Sequence, residues 1–287
     1  MSTGAGMRVK VWGCRGSVPT PGPGTVGSGG NTSCLEVSLA DGTVLVLDAG
    51  TGIRDLGLEL LERGTQQINL LLTHLHLDHV EGLRFFAPLW DERVEVDVWG
   101  PPSPVSSLPE RIARAFSPPL FPVDLRDVPA RVTFRDVPRR PWTVGGASLT
   151  AELVLHPGTT VGYRIESGGA SLGYLPDHEP ALAGTIDDRP RDWISGAGIA
   201  GDVDVLLHDA QYFEDEYEMR IGWGHSSVAD AVAFTRAVGA RRLVLFHHEP
   251  RHDDGSLERL ETRAQSLAGR NGAEVMLARE GMVVELP

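Results

Sequence analysis

The apolar run Ile68 to Leu72 leads through Thr73 directly into His74-Leu75-His76-Leu77-Asp78-His79. No other junction constrains this chain as strongly. The run has strand length and no polar face, so it reads as a strand buried on both sides. The cluster then lies at that strand's C-terminal end. In extended backbone His74 and His76 share one side of the chain, because side chains alternate with a period of two. Asp78 and His79 follow a turn and aim at a neighbouring position. Val80-Glu81-Gly82-Leu83-Arg84-Phe85-Phe86 has apolar residues at helical spacing, so the turn is expected to enter a helix. Imidazole donors suit Zn²⁺, Mn²⁺ or Fe, and the carboxylate suits the harder ions among them. A histidine-rich surface loop is the bland alternative, and the spacing argues against it.

The His-x-His-x-Asp-His order after a buried strand resembles the signature of the metallo-β-lactamase superfamily, and the resemblance extends from Val9 to Glu285. Asp48-Ala49-Gly50-Thr51-Gly52, after Val44-Leu45-Val46-Leu47, is similar to the superfamily's upstream Asp-x-Gly turn that braces the metal loop. His156 after the strand-like Leu149 to Leu155, Asp177 after Ser171 to Pro176, and His247 after Leu243 to Phe246 fall where the phosphodiesterase branch places ligands. The resemblance implies two divalent cations, Zn²⁺ first and Mn²⁺ or Fe as alternatives. It assigns His74, His76 and His156 to one ion, Asp78, His79 and His247 to the other, and Asp177 as the bridge. It also implies attack on phosphorus by a metal-bridging hydroxide that Asp78 orients. Read singly, a histidine after a strand is more often a surface or satisfied side chain than a ligand, and Asp177 reads as a turn residue. His248 stands next to His247, which leaves that assignment open by one position. His178, His248 and His252 are expected to be exposed or to sit behind the ligands.

Gly222-Trp223-Gly224-His225-Ser226-Ser227 resembles the Gly-His-Ser-Thr element of ribonuclease Z-like enzymes, which makes His225 the expected proton donor to the leaving group. The competing reading is a histidine just before a helix N-capped by Ser226 or Ser227, ahead of the apolar-periodic Val228 to Val238. The two are compatible. His208-Asp209-Ala210 looks like the same branch's His-Glu-Ala element, giving His208 either a supporting or a structural role. Because β-lactamases and thioesterases of the superfamily lack the Gly-His-Ser element, the resemblance favours phosphodiesters. Trp12 to Gly24 and Gly29 to Cys34 resemble bacterial cyclic-nucleotide phosphodiesterase-like members, and their glycines and prolines also read as a loop between strands. Arg15 within that loop is expected to be structural in preference to binding phosphate.

Short apolar strands alternate with helical patterns at Ile53 to Leu61, Val228 to Val238 and Leu257 to Leu267, which predicts an α/β chain with two sheets between helices. The resemblance implies the superfamily's αβ/βα four-layer sandwich, with two mixed β-sheets flanked by helices. No linker divides the 287 residues, so one domain over 1–287 is expected. A proline-rich insertion at about 100–141 is expected to hold a short helix near Leu108 to Phe116 and then an ordered loop. Its Phe116, Leu120 and Phe121 are placed either on the chain's own sheet edge or on a partner, and a homodimer is the expectation by analogy with relatives.

The formal net charge is −13 and no Lys/Arg-rich run appears, so a long nucleic acid finds no electrostatic footprint. A small cyclic phosphodiester, a cyclic nucleotide or a related cyclic phosphate, is the expected substrate. A ribonuclease Z-like RNA endonuclease is the alternative, followed by a non-phosphodiester metallohydrolase or a ligand-sensing protein. Met1 to Arg8 carries no apolar leader, no apolar stretch has membrane-spanning length, and Cys14 and Cys34 form no Cys-x-x-Cys pair. A cytoplasmic chain with reduced thiols and no membrane partner is therefore expected.

Overall fold

The computed structural model describes residues 6–286 apart from 183 and 188. In the first half, strands β1 (Met7–Gly13), β2 (Cys34–Leu39) and β3 (Val44–Leu47) form an antiparallel meander. Helix α1 (Ile53–Glu62) then crosses over to β4 (Gln67–Leu71), which pairs in parallel with β3, and β5 (Glu95–Gly100) pairs in parallel with β4. Helix α2 (Leu108–Ala113) precedes the parallel edge strand β6 (Arg131–Asp136). The second half repeats the scheme. Strands β7 (Trp142–Val144), β8 (Ala147–Leu153), β9 (Val161–Ser167) and β10 (Ala170–Leu175) are antiparallel neighbours. After α3 (Ala197–Ala200) comes β11 (Val205–Asp209), parallel to β10. After α4 (Glu214–Tyr217) and α5 (Val228–Val238) comes β12 (Arg242–Phe246), and after α6 (Asp254–Ala268) comes β13 (Glu274–Leu277), each parallel to its predecessor. Finally β14 (Val283–Leu286) returns to the edge beside β1.

The result is two mixed seven-stranded sheets. Their inner faces meet through Val9, Val37, Leu45 and Leu47 on one side and Tyr163, Leu172, Val205, Val244 and Phe246 on the other. The outer face of the first sheet is covered by α1 and α2, and that of the second by α5 and α6. Four layers follow because parallel strands apolar on both faces need cover on both. The C-terminal ends of β3, β4, β10, β11 and β12 all open on one edge of the sandwich, where open α/β sheets place their sites. No helix among the described residues is long and apolar enough to cross a membrane.

Two local expectations change. The segment after His79 is not an α-helix but short 3₁₀ turns at Leu77–His79, Glu81–Phe85 and Ala87–Trp90. Tertiary bonds take the backbone groups that a helix would use: Ala49 donates to the His79 carbonyl at 2.8 Å and Gly82 to the Ala49 carbonyl at 3.0 Å. A side chain at Gly82 would collide with the Gly50 backbone. The proline-rich insertion contains the edge strand β6 as well as the short helix, which Ser107 and Glu110 start with a capping box. Phe116 is buried and Phe121 packs on Phe85, Trp90 and Phe116, so both rings belong to the chain's own fold, while Leu120 is exposed.

Candidate metal centre

Asp48 follows β3 in the left-handed region, with φ of 58°, and its fully buried carboxylate organises the loop after β4. Oδ1 accepts from the Thr73 amide at 2.8 Å, and Oδ2 receives the Tyr174 hydroxyl and His79 Nδ1, each at 2.9 Å. The Thr73 hydroxyl, donating to Asp48, lies 3.1 Å from His74 Nδ1. His156 Nδ1 donates to the Gly224 carbonyl at 2.8 Å. Each ring is thus held by one nitrogen and turns Nε2 toward a common centre.

All seven residues expected as ligands converge there. His74, His76 and His156 form one group whose ligand atoms lie within 4.8 Å of one another, Asp78, His79 and His247 form another, and Asp177 groups with His74 and His79. Asp177 Oδ2 lies 3.7 Å from Nε2 of both His74 and His156 and 3.3 Å from Nε2 of His247, while Oδ1 lies 3.0 Å from His79 Nε2. His76 Nδ1 faces His156 Nε2 at 3.2 Å, and His247 Nε2 faces Asp78 Oδ2 at the same distance. Buried His74 Nε2, His79 Nε2 and Asp177 Oδ1 have no hydrogen-bond partner. The last two are close, but their alignment is not that of a hydrogen bond. Buried polar atoms left this way are costly unless something else meets them. A cation fits, since every donor is an imidazole or a carboxylate.

The electrostatics agree. Burial opposes ionisation of Asp177, yet the facing His247, His79 and His74 hold its carboxyl well below the usual range. Asp78 is likewise held low, burial again being outweighed, here by His79 and His247. Burial, reinforced by His79, pushes His74 far down, so it is a neutral donor. Burial also opposes charge on His79, but Asp177, Asp78 and Asp48 raise it well above its ordinary value. Positive charge belongs between these groups, and metal binding requires ionised carboxylates and neutral imidazoles.

His225 sits beside this cluster, its ring 4.8 Å from His247 and 5.0 Å from His156. Nδ1 contacts Asp209 Oδ2 at 2.7 Å. Burial works against the imidazolium, but Asp209, Asp177 and Asp78 outweigh it and raise the pKa to about 9. Ser227 caps α5 through the Asp230 amide, while the Ser226 hydroxyl donates to the His178 carbonyl. The helix start and the placement of His225 are therefore the same feature.

The structure separates the remaining candidates. His247, with φ of 61°, turns into the centre, and His248 points away to donate to the Ala278 carbonyl. His178 and His208 form a buried pair at 2.9 Å against Phe234, and His252 meets Glu216; none of His178, His248 and His252 is exposed. Arg15 is fully buried, its guanidinium bound to Ser28 and the carbonyls of Gly29, Glu249 and His252. The loop around it still touches the centre through the Ser17 amide, which donates to Asp78 Oδ2 at 2.7 Å.

Two residues escaped the sequence reading. In the His208-Asp209-Ala210 element it is Asp209 that holds His225, and its place at the glutamate position of that element was the available signal. Glu179 is buried and accepts from the amides of Gly222 and Gly224, each at 2.7 Å, and from the Tyr217 hydroxyl. No motif marks it.

Two mixed sheets between helices, with a histidine and aspartate cluster at their edge, define a metal-binding hydrolase of the αβ/βα sandwich type. Residues 43–248 match the Beta-lactamase superfamily domain, and the chain belongs to that superfamily. It is 27% identical to the Ribonuclease Z of Haloarcula marismortui, over 98% of each chain. Among solved structures, the metallo-β-lactamase fold protein YhfI from Bacillus subtilis superimposes with a TM-score of 0.69 at 18% identity, covering 97% of this chain and 98% of that one. A diphosphatase from the PhnP family superimposes with a TM-score of 0.68 at 18% identity, covering 98% of both.

Proposed function

We propose that this protein is a two-cation phosphodiesterase that hydrolyses a small cyclic phosphodiester, a cyclic nucleotide or a related cyclic phosphate. One observation carries the reading: two groups of donors converge on the single carboxylate of Asp177, with the separately braced His225 beside them. His74, His76 and His156 would hold one cation and Asp78, His79 and His247 the other, with the Asp177 carboxylate lying between the two groups. Such a pair of cations, when bound, supplies a water of lowered pKa and neutralises charge on phosphoryl oxygens. Zn²⁺ heads the candidates for so imidazole-rich a set, with Mn²⁺ or Fe accommodated by the carboxylates.

The chain's own residues do the rest. Asp48, Thr73 and the Gly224 carbonyl hold His79, His74 and His156 in single tautomers, so the donors need no reorganisation when substrate arrives. Asp78, fixed by the Ser17 amide, aligns the attacking water. His225, bound through Nδ1 to Asp209, gives its Nε2 proton to the departing alkoxide.

The net charge of −13 supports a small substrate. A second reading, cleavage of RNA, is favoured by the likeness to Ribonuclease Z along almost the whole chain. Chromatographic product analysis decides between them: protein loaded with Mn²⁺ or Zn²⁺ is incubated with 2′,3′- and 3′,5′-cyclic nucleotides and a folded RNA, with Asp78→Ala as the blank. Opening of one cyclic class to its monophosphate is expected. Cleavage of RNA alone assigns the ribonuclease reading, and no product from any of them, with both cations bound, overturns both.

A further inference from the structure

The geometry points to Trp223 as a stacking platform for the planar base of the nucleoside that carries the leaving oxygen, with Arg220 packed behind the indole. This names a feature of the substrate for the phosphodiesterase reading and rests on it.

Trp223 is 59% exposed, yet the turn that carries it is held on every side. Its own amide donates to the Arg220 carbonyl at 3.0 Å. The glycines on either side both donate to the buried carboxylate of Glu179, and their φ values of 88° and 90° put them in backbone that favours glycine. An exposed indole on a loose loop would be ordinary surface. Here a buried carboxylate fixes the two residues that aim it.

Its place relative to the chemistry is equally constrained. Gly224, the next residue, gives its carbonyl to His156 and packs so closely that a side chain there would overlap the His156 ring and Pro157. His225 follows. The backbone that carries the indole is therefore joined through the next two residues to a member of the centre and to the proposed proton donor. The Arg220 guanidinium lies 4.9 Å from the Tyr212 ring and 5.9 Å from that of Trp223, and Tyr212 meets His225 edge-on at 6.1 Å. A chain of ring and guanidinium contacts thus links His225 through Tyr212 and Arg220 to Trp223. Exposed Leu182, which approaches Gly222, and Ile221 add apolar surface beside the same turn. Stacking on an indole tolerates any base, so the platform selects for a planar heterocycle and not for one nucleobase.

The test is an equilibrium comparison of adenosine 5′-monophosphate with ribose 5-phosphate, which share the phosphate and sugar and differ by the base. Binding of each to the Zn²⁺-loaded protein is measured by calorimetry for wild type, Trp223→Ala and Trp223→Phe; the side chain is exposed, so neither variant disturbs the core. Wild type is expected to prefer the nucleotide by roughly 5- to 100-fold, the range set by one base–aromatic stack. Trp223→Ala should erase the preference without changing the affinity for ribose 5-phosphate, and Trp223→Phe should restore most of it. A preference that survives in Trp223→Ala, or that is absent in wild type, overturns the platform. Base discrimination by a protein that hydrolyses no diester would uphold the platform and sink the phosphodiesterase reading, so the two fail separately.

Discussion

Asp209 Oδ2 lies 2.7 Å from Nδ1 of His225, and its other oxygen accepts the amides of Ser226 and Gln211 at 3.0 and 3.1 Å. One buried carboxylate at the end of β11 therefore fixes the position of the imidazole just before α5 and favours its protonated form. His225 also lies within 4.8 Å of Asp209 and His247 and of His156 and Asp177 through possible ligand atoms, but its Nδ1 is taken by Asp209. The logic of the arrangement is that of an acid kept protonated near neutral pH and oriented toward a leaving group.

Replacing that carboxylate should move a pH limb. Activity that depends on a proton donor is lost as pH rises through its pKa, which Asp209 helps raise to about 9. In Asp209→Asn the alkaline limb of the kcat profile should shift to lower pH, and kcat at pH 8 should fall by roughly 10²-fold or more. An unshifted limb would remove Asp209 from the proton path.

Asp78→Ala and His225→Ala should separate metal binding from proton transfer. Elemental analysis of the purified proteins is expected to find two divalent ions per chain in wild type and His225→Ala, and about one in Asp78→Ala. Turnover should vanish in Asp78→Ala and drop roughly 10²- to 10⁴-fold in His225→Ala. Normal turnover by His225→Ala on a substrate with a poor leaving group would end the proton-donor assignment.

Asp48 touches no reacting atom, but it holds Thr73, His79 and Tyr174 together. Asp48→Asn should weaken metal affinity by roughly 10- to 100-fold, as losing the partner of a ligating imidazole does. Competition with a chromogenic chelator reads this directly. An unchanged affinity would mean that packing alone orients His79.

Glu179→Gln leaves the shape and removes the charge that receives three donors around Trp223. A stability loss of about 1–3 kcal/mol is expected, measured by denaturant unfolding, together with faster amide exchange at Gly222 and Gly224. Unaltered exchange there would show that the turn holds its shape without the carboxylate.

Local signals in the chain were sufficient for much of this molecule. The run before His74 is β4, the period over Val228 to Val238 coincides with α5, and Leu257 to Leu267 lies inside α6. The order of histidines and aspartates named seven residues that the fold gathers at one edge. Periodicity and motif spacing are properties of neighbouring residues, so the sequence by itself determined most of the elements and the His74–His79 cluster, while the distant donors His156, Asp177 and His247 came from the resemblance to the superfamily.

Only the tertiary structure decided what faced what. His247 and His248 are equivalent as letters, and a single left-handed φ sends one to Asp78, far away in the chain, and the other to Ala278. His208 carried the more conspicuous chemistry, but burial beside Phe234 took it into the core and left its neighbour Asp209 to hold His225. The helix expected after His79 gave way to 3₁₀ turns because the Asp48–Gly52 turn offered its backbone better partners. Glu179 became an anchor only once three donors had been folded around it. In each case the deciding partner lies outside the local window, and burial makes an unsatisfied polar group costly enough for that distant partner to prevail over local preference.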